Sequence, residues 1–133
     1  MHAARPERTQ VIWEAVTKAA LERVKDYVEI GVKEGATLAV DGRGFKMQGY
    51  EKGFYMGGCL FDNVTKDMRI YKEEIFGPVL SVMEYDDFDQ AMHLMNETEF
   101  GLTSALFSNN NSYVQRFLAE SQNGMMHVTV CRR

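Results

Sequence analysis

The chain has 133 residues, of which 45% are hydrophobic and 26% charged, a composition that indicates one folded domain and excludes a disordered or fibrous chain. Nineteen acidic against fifteen basic side chains give a formal net charge of -4, and because no basic cluster precedes Arg132–Arg133, nucleic acid is not expected as a partner. The apolar runs are far shorter than the ~20 residues that span a bilayer and no secretion signal opens the chain, so we predict an intracellular, cytoplasmic protein without a membrane partner.

Helical periodicity characterises the first quarter of the sequence. Between Thr9 and Glu34 apolar residues recur at helical spacing, and Gly31 is the only Gly or Pro. This predicts one long amphipathic helix, or two abutting helices with Thr17 capping the second. Gly35 is expected to end the helix.

A short strand and a glycine-rich arm are predicted next. The run 37–40 is β-prone, the Asp-Gly pair in 41–44 favours a tight turn, and a second strand is expected near 45–47. Four of the eleven glycines fall in 49–58, which favours an irregular extended arm. An apolar run resumes at 59–61.

Strands and helices are predicted to alternate in the second half of the chain. Apolar runs at 79–85, 103–108 and 125–130 read as strands, and capping residues at 86–87 and 109–112 precede a helix in each gap. Right-handed crossovers would make these strands parallel. The predicted fold class is therefore α/β, with a mostly parallel sheet, β-α-β-α-β crossovers, a long amino-terminal helix and the extended arm; no linker or repeat marks a domain boundary.

The two cysteines carry no recognisable catalytic or metal signature. Cys59 and Cys131 match no metal spacing, and we expect both to be thiols, a disulfide between them being the less favoured alternative. Cys59 follows two glycines, but the nearest preceding base is Lys52, so a small buried hydrophobe is favoured over a nucleophile. The serines lack a Gly-x-Ser-x-Gly frame, and no phosphate-binding loop is present.

The remaining titratable groups are the isolated histidines and an acidic pair. His2, His93 and His127 are interpreted as surface or satisfied histidines, so we predict no metal site. Glu73 and Glu74 are adjacent, and in an extended stretch their side chains point to opposite sides and cannot work as an acid/base pair. The alternative for both is a solvated turn before a strand. The residues considered so far therefore do not indicate an activity.

The stretch KEEIFGPVL at 72–80 resembles a signature of the aldehyde dehydrogenase family that lies downstream of the catalytic cysteine. The resemblance continues in LAVDGR at 38–43, GYEKG at 49–53 and NETEFGLTSALF at 96–107, and the DGR and GYE-x-G pieces are most similar to methylmalonate-semialdehyde dehydrogenases. It implies that residues 16–133 are part of the catalytic domain and that 1–15 are unlike the family.

The resemblance also implies a cofactor role for two residues. In the family the second glutamate of the signature bonds the nicotinamide ribose hydroxyls of NAD and the phenylalanine lies against the nicotinamide, which would be Glu74 and Phe76 here. Gly57–Gly58–Cys59 departs from the family's glycine, proline and hydroxyl residue, and Thr129 stands where asparagine is expected.

The nucleophilic cysteine, the general base and the dinucleotide-binding domain of the family would all precede residue 1. We therefore expect a truncated piece of an NAD-dependent aldehyde dehydrogenase, inactive alone, with no catalytic residue of its own and no tight NAD binding. The alternative is a stand-alone, non-enzymatic module that oligomerises or binds a partner. Expected partners are a second copy, through surface that the missing domain would cover, or a complementary dehydrogenase half.

Overall fold

The computed structural model describes residues 12–129 and divides into two compact units between Met83 and Glu84; the sequence has no compositional marker at this point. None of the helices within 12–129 is long and apolar enough to cross a membrane. The first unit contains β1 (Ile12–Glu14), α1 (Lys18–Lys33), β2 (Thr37–Val40), β3 (Tyr55–Gly57), β4 (Cys59–Asp62), α2 (Arg69–Lys72) and β5 (Val79–Ser81). The second contains α3 (Phe88–Glu97), β6 (Thr103–Phe107), α4 (Asn111–Glu120) and β7 (Met125–Thr129).

Helix α1 is closed at both ends by local hydrogen bonds. The Thr17 hydroxyl accepts from the Ala20 N–H at 3.1 Å, which makes Thr17 the N-cap. At the other end Gly35 has φ +101°, its N–H donates to Val32 O at 3.1 Å, and the next N–H reaches Gly31 O at 3.0 Å. These two bonds form a Schellman motif and confirm that the helix ends at Gly35.

The prediction of one continuous helix from Thr9, or of a helix abutting α1, is wrong for Ile12–Glu14. These residues form β1, which pairs antiparallel with β3. Apolar Ile and Trp suit a strand as well as a helix, and the pairing partner lies more than forty residues away in sequence, where a local pattern cannot reveal it. Residues 9–11 lie outside the described residues.

The glycine-rich arm differs from its prediction in two places. Tyr55–Gly57 is a strand, and Met56 is fully buried, so this part of the arm belongs to the core. The expected strand at 45–47 is absent; the chain turns there, with the Phe45 N–H bonded to Gly42 O at 3.2 Å. A Cβ on Gly42 would overlap the Gly57 carbonyl, so glycine lets the turn pack directly on β3.

The three-stranded sheet of the first unit is mixed. Its order is β2-β4-β5, with β4 antiparallel to β2 and parallel to β5. Phe61 is fully buried and lies against Gly31 of α1. The alternate residues Val40, Leu60 and Leu80 are in register across the three strands, and Val40 and Leu80 are exposed by 51% and 63%. One face of the sheet thus packs on the helix, and the other retains an apolar row.

The second unit follows the sequence prediction closely. The Asp87 carboxylate accepts from the Gln90 N–H at 2.8 Å, and the Asn110 side chain accepts from the Ser112 N–H at 3.0 Å, so both predicted caps are confirmed. Strands β6 and β7 are parallel and joined by α4. Met92 and Phe117 are the buried apolar residues of α3 and α4.

The predicted mostly parallel sheet is wrong. The described strands form three small sheets, of which two contain an antiparallel pair. Strand β5 pairs with β4 and ends at Ser81, not at residue 85, and β6 pairs with β7, so the crossover from β5 through α3 does not return to the same sheet. Of the predicted β-α-β-α-β succession, only β6-α4-β7 forms a pair of parallel strands joined by a helix.

Candidate functional site

The segment 72–80 leads from the end of α2, through a loop, into β5. Glu73 caps α2 in an extended conformation, with φ -111° and ψ 140°. Two short backbone hydrogen bonds fix the far end of the loop, from the Val79 N–H to Gly77 O and from the Cys59 N–H to Pro78 O, both at 2.8 Å. The segment is therefore anchored to regular structure on both sides of residues 74–76.

Helix α1 holds the middle of the segment. The Arg23 guanidinium donates to Ile75 O at 2.7 Å. Gly77 lies on Val24, and a Cβ at Gly77 would be 2.6 and 2.7 Å from the two Val24 methyl groups. A charged donor on a carbonyl is one of the stronger protein hydrogen bonds. Polar and apolar contacts thus fix residues 75–77 against one face of α1.

The Glu73 carboxylate is fully engaged with its neighbours. It accepts from the Tyr27 hydroxyl at 2.6 Å and from the Arg69 guanidinium at 2.7 and 3.0 Å. These bonds, with that from Arg69 the strongest, lower the pKa of Glu73 to about 2, and the bond to Glu73 raises the pKa of Tyr27. The Arg23 and Arg69 guanidinium groups lie 5.8 and 5.7 Å from the Tyr27 ring centre. We call Arg23, Tyr27, Arg69 and Glu73 the clamp.

Glu74 and Phe76 have different surroundings from Glu73. The Glu74 side chain is exposed, and it makes no hydrogen bond or ion pair with another residue of 12–129. Phe76 is exposed by 68% and has φ +52°, a left-handed backbone that bulky residues rarely adopt. A free carboxylate can accept hydrogen bonds from a diol, and an exposed aromatic ring can lie against a flat heterocycle. Both groups suit the nicotinamide end of NAD chemically.

A cavity of about 700 Å³ lies beside the same segment in the first unit. Its walls are mainly apolar and include Gly42, Phe45, Cys59, Pro78 and Leu80. Neither Glu74 nor Phe76 lines it. The structure therefore does not bring the two predicted cofactor residues into this cavity.

Cys59 is a buried thiol in the cavity wall. It is 3% exposed, the Gly42 N–H donates to its sulfur at 3.3 Å, and burial raises its pKa. A raised pKa disfavours the thiolate that a nucleophile needs. The interpretation of Cys59 as a small buried hydrophobe is confirmed; Cys131 lies outside the described residues.

The other titratable candidates are on the surface. His93 is largely exposed and its ring lies 3.6 Å from the Glu97 carboxylate, and His127 is also exposed; His2 lies outside the described residues. Within 12–129 no three His, Cys, Asp or Glu side chains gather as a metal site would require.

Sequence reasoning missed the clamp residues other than Glu73. The bonds from Arg23 and Tyr27 span 52 and 46 positions of the sequence, so local spacing gives no sign of them. One signal was available: Arg69 and Glu73 are four residues apart, the spacing at which opposite charges pair on a helix.

Comparison with known proteins identifies the family of the chain. The model of the aldehyde dehydrogenase family matches residues 5–131. The malonate-semialdehyde dehydrogenase of Pseudomonas aeruginosa is 46% identical over 115 residues, which are 86% of this chain and 23% of that protein. A Sinorhizobium meliloti protein described as a methylmalonate-semialdehyde dehydrogenase, crystallised with NAD, superposes with a TM-score of 0.83 at 44% identity, over 88% of this chain and 24% of that one.

A second solved structure, the methylmalonate-semialdehyde dehydrogenase of Oceanimonas doudoroffii, has a TM-score of 0.82 at 36% identity and covers 86% of this chain and 24% of that one. The chain thus spans about a quarter of the length of the relatives that it matches. Sequence and fold agree, and the chain belongs to the aldehyde dehydrogenase family.

Proposed function

We propose that this chain is a piece of an NAD-dependent malonate- or methylmalonate-semialdehyde dehydrogenase and supplies Glu74 and Phe76 to the nicotinamide end of the NAD site. The observation that carries the proposal is the contrast between neighbouring carboxylates. The Glu73 carboxylate accepts hydrogen bonds from Tyr27 and Arg69, whereas the Glu74 side chain is exposed and has no partner within 12–129. NAD, when bound, accepts the hydride removed from the aldehyde.

Each of the two side chains would make a different contact with the cofactor. The Glu74 carboxylate would accept hydrogen bonds from the ribose hydroxyls, and hydrogen bonds to a carboxylate are generally stronger than those between neutral groups. The Phe76 ring would exclude water from one side of the nicotinamide. The names of the relatives support a substrate that carries one aldehyde and one carboxylate.

The 133-residue chain by itself is proposed to be inactive. Covalent aldehyde oxidation needs an activated thiolate, and the Cys59 thiol is buried with a raised pKa. Glu74 and Phe76 would hold only the nicotinamide end of NAD, so these two residues alone would bind the cofactor weakly. The chain would therefore need a complementary dehydrogenase part to complete the reaction.

Reconstitution tests this proposal. The purified chain is mixed with the Pseudomonas aeruginosa relative from which the matching segment has been deleted, and NADH formation from malonate semialdehyde is followed. We expect no NADH from either part alone and measurable NADH from the mixture. Turnover by the chain alone would contradict the proposal, and so would a mixture that forms a stable complex without activity.

The second candidate is a non-enzymatic module that self-associates. The apolar row of Val40, Leu60 and Leu80 favours it, because exposed apolar surface of this kind tends to be buried in an interface. Light scattering after size exclusion tests it: Leu80→Lys should shift an oligomer to monomer. Val16→Lys, at a residue 94% exposed, is the matched control. A wild-type chain that is monomeric at all concentrations would exclude this candidate.

A further inference from the structure

We infer that Arg23 and Tyr27 of α1 are positioning residues, which set the backbone of 73–76 so that Glu74 and Phe76 face away from the protein. The relevance of this role to NAD rests on the proposed function. The geometry of the segment does not depend on it, and the two can be tested separately.

Tyr27 helps Arg69 to fix which of the two adjacent glutamates is free. Its hydroxyl, together with Arg69, draws the Glu73 carboxylate toward the protein. The backbone at Glu73 is extended, and in extended backbone consecutive side chains point to opposite sides. Fixing Glu73 inward therefore directs Glu74 outward. Without the hydroxyl bond, the Glu73 carboxylate would keep only its two bonds from Arg69 and would be held less firmly.

Arg23 orients the peptide between Ile75 and Phe76. Its bond to Ile75 O at 2.7 Å fixes the plane of the peptide that joins Ile75 to Phe76. That orientation sets the approach to the left-handed backbone of Phe76, φ +52°. Such strained conformations persist only where the surroundings impose them. On the other side, the close packing of Gly77 on Val24 prevents the loop from relaxing.

The two residues act from one rigid element. Arg23 and Tyr27 are four positions apart and so lie on one flank of α1, which is capped by Thr17 and closed at Gly35. The Arg23 and Arg69 guanidinium groups also lie over the Tyr27 ring. A change at either position should therefore alter the loop locally and leave the helix intact.

Backbone chemical shifts of the whole isotope-labelled chain test the inference. In Arg23→Gln, the carbon shifts of Phe76 should move toward those of an extended residue, and Arg23→Lys should keep part of the wild-type shift. In Tyr27→Phe, which preserves the ring, the shifts of Glu73 and Glu74 should move. The matched control is Lys25→Gln on the same helix, whose ion pair is with Glu22; it should leave residues 73–77 unchanged.

The variants also separate positioning from general stability. A purely structural role would lower the melting temperature without a selective change at residues 73–77. The inference is overturned if Arg23→Gln and Tyr27→Phe leave these shifts unchanged, or if Lys25→Gln changes them equally. If Arg23→Gln fails to fold, the chemical shifts of residues 73–77 in Arg23→Lys and Tyr27→Phe decide the test.

Titration with NAD distinguishes failure of the inference from failure of the proposed function. The wild-type chain should show weak shifts at residues 74–76 with millimolar NAD, and Arg23→Gln should reduce them roughly tenfold, as for the loss of one charge-assisted hydrogen bond. No response in the wild type would count against the cofactor role and leave the backbone result standing. If Phe76 is displaced in Arg23→Gln and this variant still responds to NAD as the wild type does, the proposed importance of Arg23 for NAD binding is overturned.

Discussion

Replacement of Gly77 by alanine probes the contact that fixes the KEEIFGPVL segment on α1. The new Cβ would lie 2.6 and 2.7 Å from the two Val24 methyl carbons, about 0.8–0.9 Å short of the ~3.5 Å at which carbon atoms pack. Val24 is fully buried, and a β-branched residue in a helix has essentially one rotamer. The valine therefore cannot turn away, and the loop or the helix must move.

The expected loss of stability follows from two opposing effects. Overpacking of a filled core costs about 1–3 kcal/mol, and replacing Gly by Ala recovers about 0.4–1 kcal/mol of unfolded-state entropy. Gly77→Ala should therefore lower the free energy of unfolding by about 1–2 kcal/mol. Gly44→Ala is the matched control, because no heavy atom lies within 4 Å of its Cβ position, and it should be neutral or slightly stabilising.

Urea unfolding followed by Trp13 fluorescence measures these values. Trp13 is the single tryptophan of the chain and packs against the core of the first unit, so it reports on the unit that contains Gly77. Val24→Ala makes room for the added methyl group. The double variant should therefore lose about 1 kcal/mol less than the sum of the single losses. Equal stability of Gly77→Ala and Gly44→Ala, or strict additivity with Val24→Ala, would refute the packing argument.

Three further predictions concern other parts of the chain. Phe117→Ala, at a side chain 2% exposed, should destabilise the second unit by about 3–5 kcal/mol, and Leu118→Ala, at one 45% exposed, by far less, as thermal unfolding by circular dichroism would show. Because the folded-state pKa of Glu73 is lowered from 4.5 to about 2, its contribution to the free energy of unfolding is complete above about pH 4.5 and is lost toward pH 2; Glu73→Gln should flatten the stability–pH curve in that range. Cys59, located by peptide mapping, should resist alkylation in the native chain and react readily in urea.

Local signals in the sequence correctly predicted the starts of α1, α3 and α4 and the end of α1; α4, however, ends at Glu120 and not at the expected Asn123–Gly124. Thr17, Asp87 and Asn110 each bond an N–H within the next three residues, and Gly35 adopts the positive φ that its position requires. These interactions form within a few residues, so composition and spacing suffice to find them. The parallel β6-α4-β7 unit was predictable for the same reason, since one short crossover connects its strands.

Pairings between distant segments could not be predicted from the sequence. The strand at Ile12–Glu14 exists because Tyr55–Gly57 pairs with it, and β2 and β4 pair antiparallel although a parallel sheet was expected. The pattern of apolar residues is compatible with either arrangement. Tertiary contacts decided between them, as they often do for short apolar runs.

The site also has residues that could be predicted from the sequence and residues that could not. Glu74 and Phe76 came from resemblance to a family, and their role stays a prediction. The residues that hold them in place come from α1 and α2, and Arg23 and Tyr27 lie about fifty positions from their partners. Only the fold shows that α1 and α2 together support the segment.

The affinity of the reconstituted enzyme for NAD tests the central claim most directly. The KM for NAD is measured with the chain carrying Glu74→Gln, and with Lys72→Gln as a neighbouring control. The account predicts a rise of about tenfold or more for Glu74→Gln, since a charged hydrogen-bond acceptor is lost, and no change for Lys72→Gln. An unchanged KM for NAD in Glu74→Gln would contradict it.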